Sequence, residues 1–354
     1  MSLPTPSPDA TDRAVKRGRL IALLDRVGAD RLILRSSTTL SWYLDGARTH
    51  VSLAAPPIAV VVAGRDGDRL LTTDNESDRL SREELPADIA VEAVPWYRPL
   101  PVPQTGRTIS EDDVAEDLRR LRVPLLPQET ARYRTLSKET ARLLTCVLRT
   151  ARPERTERQL AAEVTAGIVD LGAEPLVVLV GGASRQLVRH PLPTEATLGR
   201  RALVVVCARR HGLIVNLSRT VVFGAPTDEE ADAHRRILAV EAAFLDACVP
   251  GLTIADVFAD GCAAYAGNGF DAEEWTRHHQ GGAAGYAGRD PRASAEAGDP
   301  VVLGQAFAWN PTGQGAKVED TVLLTSDGLQ VLTVDPAWPT LTVAGRARPD
   351  VLAV

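Results

Sequence analysis

At 354 residues, 44% hydrophobic and 24% charged, the chain has apolar material for two folded cores and far too much for a disordered tract. Its formal net charge of −6 excludes the basic face or tail of a nucleic-acid-binding protein. No apolar run reaches membrane-spanning length, and residues 1–8 are polar and proline-rich rather than leader-like, so a cytoplasmic protein without membrane association is expected.

Residues 1–10 read as a disordered tail. A helix follows over 11–27, with Leu20, Leu23, Leu24 and Val27 at helical spacing, Thr11 or Asp12 as its cap and Gly28 as its stop. Strand character comes next at 29–35. Residues 57–63 form a continuous apolar run, joined through a turn at 64–68 to a strand at 69–72, and 90–94 adds another. Residues 11–125 are therefore expected to form a small α/β domain, closed by the proline tract at Pro99, Pro101 and Pro103.

Residues 126–354 have a different character. Amphipathic spacing predicts a helix over 129–152, interrupted by Pro153, and a second from Thr156 to Leu171, where Gly172 is a natural stop. A strand at 176–180 ends in Gly181-Gly182. Paired strands at 202–208 and 212–222 are expected around a turn at Arg209-Arg210-His211, then helices at 227–248 and 254–266. Strands at 301–309, 317–325 and 329–334 complete the pattern. Four scattered cysteines show no paired spacing, and Cys207 in an apolar run reads as a small hydrophobe.

Candidate chemistry collects in the second half. His278-His279 run into the nearly uncharged, glycine-rich segment Gln280-Gly281-Gly282-Ala283-Ala284-Gly285-Tyr286-Ala287-Gly288-Arg289, where glycines allow close approach of backbone or ligand. Histidine there is suited to proton transfer or metal binding near neutral pH. His190 is held in a loop stiffened by Pro191 and reads as a general acid or base. In the strand at 212–222, alternation puts Asn216, Ser218 and Thr220 on one face, either lining a site or facing solvent. A further candidate is Trp309-Asn310-Pro311 with Glu319 a few residues on; Glu319 precedes Val322-Leu323-Leu324 and so needs a charged or hydrogen-bonding partner at a buried position.

In order and spacing these motifs resemble the superfamily of creatinase, aminopeptidase P, prolidase and methionine aminopeptidase, over nearly the whole chain. The resemblance implies an α/β protein with a small creatinase-like N-terminal domain, part of it at Trp42–Arg48, and a C-terminal pita-bread domain, commonly in a homodimer. It also implies a dinuclear metal centre held by two aspartates, a histidine and two glutamates. Those positions fall on Val205, Asn216, Gly282, Asn310 and Glu319, so four of five ligands are replaced. Hard divalent ions need several anionic oxygens, and the expectation is accordingly no bound metal and no cofactor. Creatinase, which cleaves a C–N bond without metal, implies His190 as the proton shuttle and Arg289 as the anchor of a substrate carboxylate. Glu319 would then orient a water, the substrate nitrogen or a histidine. Arg48 is a second candidate for the carboxylate; His278, His279, Asn216, Asn310 and Tyr286 would shape the pocket. The resulting expectation is a metal-independent hydrolase or lyase acting on a small carboxylate-bearing molecule. The alternatives are an Xaa-Pro metallopeptidase with an altered metal site and an inactive relative that binds a peptide or protein.

Overall fold

Helix α1 (Ala10–Val27) opens the computed structural model, which describes residues 10–103 and 106–354. The expected tail, apart from Ala10, lies outside the described residues. α1 begins before its expected caps: Asp12 lies inside it and accepts a hydrogen bond from the Glu129 amide at 3.3 Å. Gly28, at φ 67°, ends it in the left-handed conformation that glycine adopts without strain. The chain divides into two compact units, one reaching to Thr130 and including His211–Leu213, the other comprising Ala131–Arg210 and Ile214–Val354.

The first unit is built on a five-stranded mixed sheet. Its elements in order are β1 (Arg31–Leu34), α2 (Ser37–Tyr43), β2 (Ala59–Gly64), β3 (Gly67–Thr73), α3 (Asp74–Arg79), β4 (Ala90–Val94), β5 (Thr108–Ser110) and α4 (Ala115–Arg122). The sheet order is β4-β3-β2-β1-β5. Leu20, Leu23 and Leu24 of α1 are fully buried, as their spacing predicts. Among them sits Lys16, also fully buried, its ammonium held by Asp45 and, at 2.8 Å, by Glu129. Two carboxylates on one ammonium supply the charge and hydrogen-bond partners that burial requires.

α5 (Pro127–Thr150) begins in the first unit and continues into the second, where α6 (Glu157–Asp170) follows, capped reciprocally by Thr156 and Gln159. Strands β6 (Glu174–Gly182), β7 (Arg201–Arg210) and β8 (Leu213–Val222) follow. The turn between β7 and β8 is His211-Gly212, both at positive φ, so Arg209 and Arg210 belong to the strand rather than to the turn. Helices α7 (Asp228–Ala247) and α8 (Ile254–Gly267) carry capping boxes at Thr227/Glu230 and Thr253/Asp256.

The remaining elements are short strands: β9 (Gly281–Ala284), β10 (Ala306–Trp309), β11 (Thr312–Gly313), β12 (Ala316–Lys317), β13 (Asp320–Thr325), β14 (Gly328–Val331), β15 (Thr340–Val343), β16 (Arg346–Pro349) and β17 (Leu352–Ala353). The strand expected over 301–309 forms only in its last four residues, because Gly304 at φ 80° turns the chain before it. The strand expected over 317–325 divides into β12 and β13.

Two four-stranded sheets, β17-β8-β7-β6 and β14-β13-β10-β9, carry the unit. They are joined where the Ser218 amide donates to the Glu319 carbonyl at 2.9 Å. Beside this bridge, the Asn216 amide donates to Thr321 Oγ1 (2.8 Å), which donates in turn to the Asn216 carbonyl (2.9 Å). The main core lies between α7, α8 and β10–β13, around Phe244, Tyr265, Phe307 and Trp309. The line between the two sheets is where the candidate residues gather.

Candidate active site

Every residue of β8 is buried, so the polar alternation at Asn216, Ser218 and Thr220 does not face solvent. Asn216 is spent within the protein: its Nδ2 donates to the Ile214 carbonyl at 3.2 Å and its Oδ1 accepts from Cys207 Sγ at 3.1 Å. Cys207 is therefore more than a packed hydrophobe. Burial pushes its thiol pKa up to about 12, keeping the proton that this contact needs.

Three histidines converge although 88 residues separate two of them. His190 Nε2 lies 3.1 Å from His278 Nε2. The ring centroids are 4.8 Å apart for His190 and His278, 5.8 Å for His190 and His279, and 4.5 Å for the stacked pair His278 and His279. Residues that the sequence reading passed over hold this cluster in place. Arg189 Nη2 donates to Glu274 Oε1 at 2.5 Å, tying the His190 loop to the turn that presents His278. Gln280 Nε2 donates to the carbonyls of His278 (2.6 Å) and Trp275 (2.9 Å), while its Oε1 accepts from the Tyr265 hydroxyl at 2.8 Å.

Electrostatics keep these rings uncharged. Burial, then the nearby Lys317 ammonium and the neighbouring rings, depress the pKa of His278 to about 2. Burial, then Arg289, Lys317 and Arg292, depress that of His279 to about 3. His190, the most exposed of the three, is lowered too, by burial and Lys317 against the opposing pull of Glu319. Near neutral pH all three are imidazoles with a lone pair available.

Glu319 sits just before β13, with 2% of its surface exposed, and Arg289 Nη2 donates to its Oε1 at 2.5 Å. Arg289 also turns its Nη1 back onto the Gly288 carbonyl, and only its Nε is buried without a partner. Its fork is thus largely committed within the chain, unlike the open carboxylate anchor expected from the sequence. Lys317 is buried behind, its Nζ 3.9 Å from Glu319 Oε2 and 3.5 Å from the Asn310 carbonyl. Burial lowers its pKa and Glu319 opposes that. Asn310 donates its amide to the Gln280 carbonyl at 3.1 Å, and its Oδ1 is buried without a partner. Tyr286 is buried just past β9. Arg48 belongs to the first unit, where it pairs with Glu84 at 2.6 Å.

A dinuclear metal centre of the type the resemblance implies does not fit these residues. Val205 packs in an apolar cluster with Leu179 and Leu203. At Gly282, φ is 141° and a Cβ would stand 2.5 Å from the Pro291 carbonyl, so no ligating side chain has room there. Asn216 and Asn310 are neutral, and Glu319 already serves two cations. The three histidines offer nitrogens within 4.8 Å of one another, a donor set that suits one transition-metal ion by type. Lys317, Arg289 and Arg292, whose charges already depress the histidines, oppose a further cation.

Comparison with known proteins agrees with this geometry in fold. The profile for metallopeptidase family M24 matches residues 131–326. An Xaa-Pro dipeptidase of Pyrococcus furiosus is 25% identical over 191 residues, covering 51% of this chain and 54% of the relative. The chain thus spans about half the length of the curated relatives it matches. Among solved structures, dipeptidase PepE from Mycobacterium ulcerans superposes with a TM-score of 0.76 at 20% identity, covering 99% of this chain and all of that one. An X-Pro aminopeptidase from Thermotoga maritima superposes at 0.75 with 15% identity, covering 96% and 99%. The fold is the mixed α/β, pita-bread arrangement of these neighbours. Among the described residues no helix is long and apolar enough to cross a membrane.

Proposed function

The chain belongs to metallopeptidase family M24, and from that premise we propose that it is a hydrolase that cleaves a C–N bond of a small carboxylate-bearing substrate without the family's metal centre. One observation carries the reading: of the five ligand positions only Glu319 is anionic, and Arg289 holds it at 2.5 Å. Proton transfer then falls to the histidines. When His190 Nε2–H donates to His278 Nε2, the His190 Nδ1 keeps its lone pair and acts as the base. It takes a proton from the water that attacks the carbonyl carbon. As the C–N bond breaks it returns that proton to the leaving nitrogen, giving an acid and an amine. Glu319 fixes the two cations, Arg289 and Lys317.

The test is turnover of a panel of N-acyl amino acids and Xaa-Pro dipeptides, with chelator present. Wild type is expected to hydrolyse a member of the panel, and His190→Ala and Glu319→Gln to lose that activity; full turnover by both variants would overturn the assigned roles. The three converging histidines favour one other reading, an Xaa-Pro peptidase with a single relocated metal ion. Its sign would be release of an N-terminal residue from an Xaa-Pro peptide that stops on chelation and resumes with cobalt or manganese.

A further inference from the structure

Only three residues of the chain are lysines, against 40 Lys and Arg together, and two of the three are buried. The two buried lysines are unequally provided for. Lys16 has two carboxylates on its ammonium, Asp45 and Glu129. Lys317, with 4% of its side chain exposed, has one carboxylate at 3.9 Å, already bonded to Arg289, and one carbonyl at 3.5 Å. An ammonium has three donors to satisfy, and a buried charge without close compensation is costly. Around Lys317 the sum of two cations and one anion, Lys317 and Arg289 against Glu319, leaves a positive charge unbalanced. Four further polar atoms are buried without partners in the same group of residues, Asn310 Oδ1, Arg289 Nε and the Nδ1 atoms of His278 and His279.

From this arrangement we infer that the centre is inverted in charge: Lys317 is its resident cation, and the ligand it takes is a small carboxylate anion. A centre for hard divalent ions needs anionic side chains and receives cations. This site supplies the cation from its own chain and lacks the anion. A carboxylate oxygen on Lys317 Nζ would complete the ion pair that Glu319 only shares, in a charge-assisted hydrogen bond. Where Arg289 is committed to Glu319 and Gly288, Lys317 has the donors free to anchor a substrate's carboxylate. The inference rests on the proposed function only in making that carboxylate part of the substrate; anion binding itself does not require turnover.

The experiment is nitrogen-15 labelling of lysine in the full chain and observation of the three Nζ signals by NMR during titration with acetate, with cobalt(II) in a parallel arm. Lys317→Met and Lys317→Arg each identify the Lys317 signal by its loss, so the assignment survives if one of them fails to fold. Acetate is expected to move the wild-type Lys317 signal and leave that of Lys138 in place, and to bind at least tenfold more weakly to Lys317→Met. Cobalt is expected not to bind stoichiometrically. The inference is overturned if acetate leaves the Lys317 signal unmoved, if Lys317→Met binds acetate as well as wild type, or if wild type takes one cobalt per chain that His279→Gln loses. Acetate binding without hydrolysis of any panel member would sink the proposed function and leave this inference standing; chelator-resistant hydrolysis with an unresponsive Lys317 would do the reverse.

Discussion

Lowering the pH should destabilise the second unit through His278, by an amount that the site sets. A histidine titrates near 6.5 in the unfolded chain, whereas burial and the Lys317 charge hold His278 at about 2 in the fold. Between these values the unfolded chain binds a proton that the folded ring refuses, so stability falls as pH falls. The contribution is fully present above pH 6.5 and declines below it. From pH 6.5 to pH 5 the loss is at most 1.5 pH units at about 1.4 kcal/mol each, or roughly 2 kcal/mol. Structural relaxation around the ring reduces that ceiling, and about 1–2 kcal/mol is the expected loss. Urea unfolding of wild type and His278→Gln at pH 7 and pH 5 reads the effect, because titrating groups away from the histidine cluster cancel in the double difference. The wild type should lose more stability than the variant by that margin. Equal losses in the two proteins would refute the claim that His278 is held neutral.

Other consequences follow from the same structure. Arg348, 1% exposed, grips Glu241 at 2.7 and 2.5 Å and Asp320 at 2.7 Å. Arg348→Met leaves the buried Glu241 carboxylate uncompensated, while Asp320 keeps Arg219 at 2.9 Å, and should cost about 3–5 kcal/mol in urea unfolding. Gly282→Ala would push a methyl onto the Pro291 carbonyl at a φ of 141°, so a loss of about 1–3 kcal/mol from the backbone alone should appear as a lower thermal midpoint. His190→Gln keeps a hydrogen-bonding side chain but not the base, and turnover of a panel substrate should drop about 10²–10⁴-fold with the midpoint little changed, since the residue is exposed.

What could be read from the sequence were the features coded locally. Thr156 with Gln159, and Thr227 and Thr253 at the starts of α7 and α8, announce their helices within four residues. The apolar runs of β2 and β8 likewise declare themselves. Candidate residues were legible where they carry an unusual group in an apolar setting, as with His190, the histidine pair and Glu319. What remained hidden depends on partners far away in sequence. β9 is a strand made of glycine and alanine, with no β-branched residue to mark it, and forms because β10 lies against it. Lys317 could have been suspected from the scarcity of lysine and its place before Val318-Glu319, but its burial is decided by Asn310 and Glu319. The turning of Arg289 onto Glu319 likewise comes from a chain crossing that no local spacing records.

The central claim is that this M24 protein retains the family's fold while its centre works without metal. Elemental analysis of the purified chain, before and after incubation with manganese, cobalt and zinc and dialysis against a weak chelator, tests it most directly. The account predicts no metal in stoichiometric amount under any of these conditions, together with the same turnover before and after. One or two ions retained per chain, with activity rising alongside them, would contradict it.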